Sequence, residues 1–356
     1  MQALYDVPAP AKLNLFLHVV GKRPDGYHLL ESVFTLIDWC DTLHFERRDD
    51  GLLQRHDQGD ALPPDDLCLR AARLLQQASG CRLGVDIHID KRLPSGAGMG
   101  GGSSDAASTL LALNRLWGLK LPRSRLLELG LQLGADVPFF IGGTPAFVRG
   151  IGEDLTPIHM PSESFAVIKP AVSIPTKEIF SSPLLQRSNS LAIVAVFPEH
   201  ESKRKGSSWN NSGSQSANIE SQGSIEECAQ NSAGLQANQN LQAPDKTFEN
   251  LNKALEIAEN AAILQGLLQN GFGRNDLQKP AESYSAEVIE ALAMLETRFG
   301  NSRMTGSGSA VFARLSGKNG MSNQPMATLP EELPSGWVGK ICRSLEQHPL
   351  RGWAQD

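Results

Sequence analysis

The 356 residues contain no apolar run of roughly eighteen, the length a helix needs to cross a bilayer, which excludes a helical membrane span. Cysteine is sparse: the five, Cys40, Cys68, Cys81, Cys228 and Cys342, are odd in number and never spaced as CxxC. Such spacing supports neither a disulfide framework nor a zinc site, and reduced structural thiols are expected. Long basic stretches are missing too, and the formal net charge is −6, so neither a nucleic acid nor an anionic membrane is the expected partner. A small molecule is. The stretch MQALYDVPAPAKLN lacks the basic segment and apolar core of a secretory signal, which points to the cytoplasm. Without a secretory route the sequon Asn210-Asn211-Ser212 carries no meaning.

What is present suffices for two cores, since 40% of the residues are hydrophobic and chains of this length divide into domains. PAKLNLFLHVV alternates with period two, which predicts a strand with Leu13, Leu15, Leu17 and Val19 on one face and Lys12, Asn14, Phe16 and His18 on the other. A Pro-Asp-Gly turn follows, and LLESVFTLIDWCDTLHFE reads as two more strand-like runs. DDLCLRAARLLQQAS carries Leu67, Ala71, Leu74 and Leu75 at helical spacing, and VDIHID aligns Val85, Ile87 and Ile89 as a strand. Beyond it, Ala106, Leu110, Leu113 and Trp117 repeat at helical spacing, with Ser103 or Ser104 available as N-cap and Asp105 in the first turn. RSRLLELGLQL predicts a helix ending at Gly134, GADVPFFIGGTPAFVRG a loop and strand, and FAVIKPAVSIPT the start of a second unit. From Gly206 to Pro244, Ser, Asn, Gln and Gly supply 24 of 39 residues, too little apolar surface to offset the entropy of ordering, so a disordered insertion is expected there. TFENLNKALEIAENAAILQGLLQNGF and SAEVIEALAMLETRFG predict helices, SRMTGSGSAVFARL a glycine turn entering a strand, and WVGKIC a last strand.

Between strand and helix lies LPSGAGMGGGSSDAA, Leu93 to Ala107. Gly96, Gly98 and Gly101 fit GxGxxG by spacing, but Lys91-Arg92-Leu93-Pro94 separates the strand from the first glycine, where a dinucleotide-binding turn is tight. Nor does an acidic residue end a strand about twenty residues later. No Lys follows the last glycine, so the P-loop pattern fails as well. A cradle remains, in which backbone N–H groups and a helix N-terminus meet a phosphate and glycines are needed because a Cβ would hold the anion away. A flexible linker is the alternative, disfavoured because linkers rarely sit between a well-formed strand and a helix. Lys12 and Asp136 each allow two readings on their own: a solvated strand lysine and a turn-capping aspartate, or a catalytic pair.

LPSGAGMGGGSSDAA resembles the ATP loop of the GHMP kinases, the superfamily of galactokinase and of homoserine, mevalonate and phosphomevalonate kinases. PAPAKLNLFLHVVGKRPDGYHLLESVF, LGADVPFFIGGTPAFVRGIGE and RMTGSGSAVFA resemble, in order and at similar separations, one branch of that superfamily, which serves the non-mevalonate (MEP) pathway of isoprenoid biosynthesis. The resemblance covers most of the chain outside 190–245. It implies an α+β, two-domain GHMP kinase fold with the active site in the inter-domain cleft. The implied parts are an ATP-binding N-terminal domain over 1–160, a C-terminal domain over 161–334 holding the polar insertion of about 190–245, a return of 335–345 to the first domain, and a tail over 346–356.

The implied activity is transfer of a phosphoryl group from ATP, accompanied by Mg²⁺, to the 2-hydroxyl of a cytidine diphosphate methylerythritol. Lys12 and Asp136 fall on the family's catalytic positions, Asp136 as general base and Lys12 as its partner. Leu67, Lys91, Pro94, Gly96, Gly98, Gly100, Gly101, Gly102, Ser103 and Ser104 fall on ATP-binding positions, and Ser103 or Ser104 is a candidate for Mg²⁺. Asn14, Tyr27, His28, Thr176 and Phe180, together with Asp136, fall on positions that recognise the second substrate, Tyr27, His28 and Phe180 by holding cytosine. Two positions depart from the pattern: Asp66 stands where Asn is expected, and Gln278 where an acid is. Another GHMP small-molecule kinase, of homoserine or mevalonate type, and a non-catalytic sensor of the same fold are the rival readings.

Overall fold

The computed structural model describes residues 1–59, 61–187, 273–315 and 328–356. The insertion expected over 190–245 and the helix expected in TFENLNKALEIAENAAILQGLLQNGF lie outside the described residues.

The chain opens with a long antiparallel hairpin, β1 (Ala3–Lys22) and β2 (His28–Arg48), closed by the Pro-Asp-Gly turn, where Gly26 takes φ +92°. The two runs expected in LLESVFTLIDWCDTLHFE are one continuous strand. Asp38 at its middle starts no turn; its Oδ1 accepts the N–H of Arg343 at 2.9 Å, and β2 exchanges one neighbour for another as it passes.

The facial alternation expected for β1 is also corrected. Asn14 pairs with Phe34 and Phe16 with Val33, leaving Leu15 as an extra residue, and such a bulge reverses the inward and outward sense of the residues after it, as far as the next register shift between Val19 and Gly21. Arg303 Nη1 donates to Leu15 O at 2.7 Å and holds the bulge. Leu17 therefore joins Lys12 and Asn14 in lining one cavity, while Phe16 and His18 face each other with ring centroids 4.9 Å apart.

β3 (Leu53–Gln58), α1 (Leu67–Ser79) and β4 (Gly84–Asp90) make a parallel β-α-β crossover. Asp66 caps α1, accepting from Leu69 N at 3.1 Å and Cys68 N at 3.2 Å, and Gly80 ends it in the left-handed region. After the glycine loop come α2 (Gly101–Leu116) and α3 (Arg123–Leu133). Val137–Gly142, expected as loop, forms a short helix, α4, with Pro138 in its first turn, where a missing N–H costs nothing. β5 (Ala146–Arg149) and β6 (Asp154–Pro157) follow on β2. Leu43, Phe45, Ile87, Leu110, Leu113 and Phe139 are among the residues of the core between these helices and strands.

β7 (Ser164–Lys169), α5 (Thr176–Ser181), α6 (Gln278–Tyr284), α7 (Ala286–Phe299), β8 (Arg303–Met304) and β9 (Val311–Arg314) surround a second core that includes Ile168, Ile179, Leu277, Leu295 and Val311. β10 (Val338–Leu345) joins the two sets of strands. Its residues 338–343 pair with β7, and Ser344 and Leu345 pair with Ile37 and Leu36 of β2, so only the end of the 335–345 segment reaches the first set. The order is β3-β4-β2-β10-β7-β9-β8, with β1 and β5 also paired to β2.

Residues 346–356 pack rather than trail. Arg123 donates to Ile141 O at 2.8 Å and to Ala354 O at 2.9 Å, and Leu350 is buried. Cys40, Cys68, Cys81 and Cys342 are free thiols, and among the described residues no helix is long and apolar enough to cross a membrane.

His348 sits in this C-terminal packing, its Nδ1 accepting Leu350 N–H at 3.1 Å, and burial lowers its pKa from 6.5 to about 4. A group depressed in the folded state contributes stability that is complete above pH 6.5 and is lost progressively as pH falls toward 4. Urea unfolding at pH 7.5 and pH 4.5 is expected to differ by about 2 to 3 kcal/mol more in the wild type than in His348→Asn. Equal acid losses in both proteins would remove His348 as the cause.

Candidate active site

Strand β1 carries Lys12 and Asn14 into a cavity of about 490 Å³, within the usual range for a small-molecule site. Asp136 reaches the same cavity from the N-cap position of α4. Its carboxylate caps no backbone group, which leaves it free to face Lys12, with Oδ2 at 3.7 Å from Nζ. Lys12 is 3% exposed and lies 4.3 Å from the centroid of the Phe34 ring. Burial pushes its pKa below the ordinary lysine value, and Asp136 opposes that shift. The arrangement couples a half-exposed carboxylate, able to take a proton, to a buried cation able to stabilise a nearby anion.

At the far side of the cavity are Tyr27, His28, Thr176 and Phe180. Tyr27 is 61% exposed, which excludes core packing as its purpose. The His28 and Phe180 rings lie with centroids 5.0 Å apart, and His28 Nδ1 has no hydrogen-bond partner among the described residues. Burial, followed by Lys22 and Arg187, lowers the His28 pKa, so at pH 7 the ring is neutral and offers one donor and one acceptor. Thr176 Oγ1 is 2.9 Å from Ser307 Oγ, tying α5 to the turn after β8.

A second cavity, of about 380 Å³, is lined by Leu67, Lys91, Pro94, Gly96, Gly98, Gly100, Gly101 and Gly102. Gly96, Gly98 and Gly100 line both cavities, so the glycine loop is their common wall. The loop is a fitted piece of structure. Lys12 N–H donates to Met99 O at 3.0 Å, and Ser309 and Ala310 donate to Gly96 O and Ala97 O at 3.2 Å each.

The expected serine cap is absent. Gly100, at φ +71°, holds the N-cap position of α2, and no side chain caps it. The first bond onto the helix is from Ser104 N–H to Gly100 O, leaving the N–H groups of Gly101, Gly102 and Ser103 directed ahead of the helix for an anion. Ser104 is withdrawn from that role, since its hydroxyl donates to Pro10 O at 2.7 Å and its N–H is used. Neither Ser103 nor Ser104 lines either of these two cavities.

Asp105 lies one turn further in and is buried, its Oδ2 2.6 Å from Nζ of the partly exposed Lys91. Lys91 also bonds Asp41, which accepts the N–H groups of Arg92 and Leu93 at 2.6 and 2.7 Å. Burial pushes the Asp105 carboxyl up to about 7; burial acts to lower Lys91, but Asp105 and Asp41 outweigh it and raise it overall. Lys91 thus braces the strand-to-loop junction and meets the cavity with its ammonium already engaged.

The two departures are accounted for. Asp66, besides capping α1, is 2.7 Å from Arg55 Nη1. Gln278 accepts Met304 N–H at 3.0 Å and donates to Glu282 at 2.9 Å, which bears on the β8 turn and not on the Lys12–Asp136 pair.

Residues 66–144 match the GHMP kinases N terminal domain, and residues 248–320 match the GHMP kinases C terminal domain. The chain is 53% identical over 356 residues to the 4-diphosphocytidyl-2-C-methyl-D-erythritol kinase of Methylibium petroleiphilum, covering 99% of each chain. The chain belongs to the GHMP kinases, in the 4-diphosphocytidyl-2-C-methyl-D-erythritol kinase family. A relative of the same name from Verminephrobacter eiseniae is 46% identical over 360 residues, covering 100% of this chain and 99% of the relative. A crystal structure of 4-(cytidine 5'-diphospho)-2C-methyl-D-erythritol kinase superposes with TM-score 0.57 at 30% identity, covering 86% of this chain and 88% of the other. A homoserine kinase from Cytophaga hutchinsonii, at TM-score 0.58 and 15% identity over 98% and 96% of the chains, shares the fold. This GHMP kinase is therefore an ATP-dependent small-molecule kinase of mixed α and β structure.

Some of the kinase's cavity lining carries no signal that one sequence could expose. Phe34 and Leu17 look like ordinary core positions, and only the Leu15 bulge and the ring beside Lys12 place them at the site. Gly306, Ser307 and Gly308 are different. They lie in the RMTGSGSAVFA stretch, and the density of small residues there was available as a signal for close backbone approach.

Proposed function

We propose that this GHMP kinase transfers the γ-phosphoryl group of ATP to the 2-hydroxyl of 4-diphosphocytidyl-2-C-methyl-D-erythritol, giving ADP and the 2-phosphate in the MEP pathway. The observation that carries the reading is the Lys12–Asp136 pair, set in one cavity at the glycine wall it shares with a second. ATP takes the second cavity, its base near Leu67 and Lys91 and its phosphates along Pro94, the loop glycines and Ser103. The cytidine end of the other substrate takes the first, with Tyr27, His28 and Phe180 around the base and Thr176 as a polar contact. The ATP-binding part over 1–160 and the C-terminal part over 161–334 each supply one side.

Asp136 accepts the proton of the 2-hydroxyl as that oxygen bonds the γ-phosphorus and the bond to the ADP oxygen breaks. Lys12 orients the carboxylate and stabilises the equatorial oxygens of the group in transit, in a buried setting where its charge is weakly screened. Mg²⁺ would accompany the ATP phosphates and neutralise their charge, with Ser103 as the first-turn hydroxyl of α2 left to hold it once Ser104 is engaged by Pro10 O.

Tyr27 and His28 opposite Phe180 favour a cytidine substrate over homoserine or mevalonate, and the presence of both Lys12 and Asp136 favours turnover over a sensor role. A coupled ADP-release assay is expected to give turnover with the cytidine diphosphate substrate at least a hundredfold above that with homoserine or mevalonate. Comparable rates with either control would overturn the substrate assignment.

A further inference from the structure

Asn14 falls on a substrate-binding position, yet most of its hydrogen-bonding capacity is spent inside the protein. Its Oδ1 accepts from Lys12 Nζ and, at 3.5 Å, from Thr305 Oγ1, while its backbone N–H donates to the same Thr305 oxygen at 2.9 Å. Its Nδ2 donates to Ser32 Oγ at 3.0 Å. An amide has one acceptor oxygen and two donor hydrogens, so only one N–H remains for a ligand.

What decides which end of the amide faces Lys12 is Ser32. This residue of β2 is 1% exposed, and its hydroxyl donates to Phe16 O, the carbonyl next to the β1 bulge. A hydroxyl has a single hydrogen, and with that hydrogen given to Phe16 O, the Ser32 oxygen can only accept. The partner facing it must be the NH₂ end of Asn14, and the oxygen end must then face Lys12. The opposite orientation would set NH₂ against the Lys12 ammonium, donor to donor, in a buried space, and would leave the Ser32 oxygen facing an acceptor.

We propose that Ser32 is a positioning residue: its hydroxyl fixes the Asn14 amide with Oδ1 toward Lys12 and so holds the Lys12 ammonium beside Asp136. Asp136 is the charged side chain acting on Lys12, and Asn14 Oδ1 is the neutral acceptor that complements it. The catalytic consequence rests on the proposed role of Lys12. The positional consequence does not.

The test follows the Lys12 side chain and turnover separately. In protein carrying lysine labelled with carbon-13 at Cε, Ser32→Ala is expected to move the Lys12 NMR titration about one pH unit lower, because the ammonium loses its aligned acceptor. The same variant is expected to lose about tenfold in kcat with the KM for ATP within twofold. Ser32→Thr, which keeps the hydroxyl, restores both readings. Ser32→Cys fills the same space with a weak donor and changes both in the direction of Ala, which covers the case of an Ala variant that does not fold. A Lys12 titration unchanged in Ser32→Ala or Ser32→Cys overturns the proposal. A shifted titration with unchanged kcat upholds the positioning and instead removes Lys12 from the chemistry.

Discussion

Asp136→Asn is expected to lower kcat by about a thousandfold while leaving the affinities for both substrates within a few-fold of wild type. Asn has nearly the shape of Asp, so the N-cap position of α4 and the cavity outline persist. What disappears is the proton acceptor and the charge 3.7 Å from Lys12. Lys12 keeps Asn14 as a neutral acceptor, but its ammonium is buried, so losing the Asp136 charge costs more stability than losing an exposed ion pair would. A thousandfold kinetic loss with a moderate thermal shift is thus the expected signature. The kcat and both dissociation constants, measured on the same preparation, check it; turnover within tenfold of wild type, with binding intact, would show that Asp136 is not the base.

Gly98→Ala is expected to damage both stability and activity, through a different physical cause. Gly98 sits at φ +71°, which strains any residue with a Cβ by about 1 to 2 kcal/mol. An added Cβ would also lie 2.4 Å from Thr305 O and 3.0 Å from Gly308 N. Those are backbone atoms, unable to swing aside as a flexible side chain would, so either the glycine loop or the β8 turn must move. Because that loop walls both cavities, kcat/KM should fall about a hundredfold or more for both substrates, with Tm lowered by roughly 5 to 10 °C. Gly101→Ala is the control for stability. Its Cβ would meet Leu93 at 3.4 Å, an ordinary contact, without a positive φ, and its Tm should stay within about 2 °C. A Gly98→Ala protein with unchanged Tm and kinetics would mean that the loop and turn are not packed as described.

The contrast between these glycines sets the limit on what motif reading conveys. Both belong to the same quoted stretch and both fall on the same expected role. Only the surroundings separate them: one has the β8 turn pressed against its Cα, the other a side chain at normal distance. The serines of the loop divide in the same way, Ser104 being turned to Pro10 O while the N–H of Ser103 remains in the anion-facing first turn.

By itself, the sequence determined the elements whose pattern is local. These include the helix after Asp66, with apolar residues at helical spacing, the β4 strand with Val85, Ile87 and Ile89 all buried, and the glycine loop between strand and helix. Motif identity and order carried the family, because such stretches fix backbone shape through residue type alone. The tertiary structure decided what depends on register and on distant partners. A single extra residue at Leu15, held by Arg303 almost three hundred positions away, reverses which side chains of β1 face the cavity. Period-two reading carries no signal for a bulge, since the apolar alternation continues through it. The orientation of Asn14 toward Lys12 is likewise fixed by Ser32 on the neighbouring strand and Thr305 near the other end of the chain. Hydrogen-bond direction depends on which groups meet and on how many protons each has to give, and long-range packing brings those groups together.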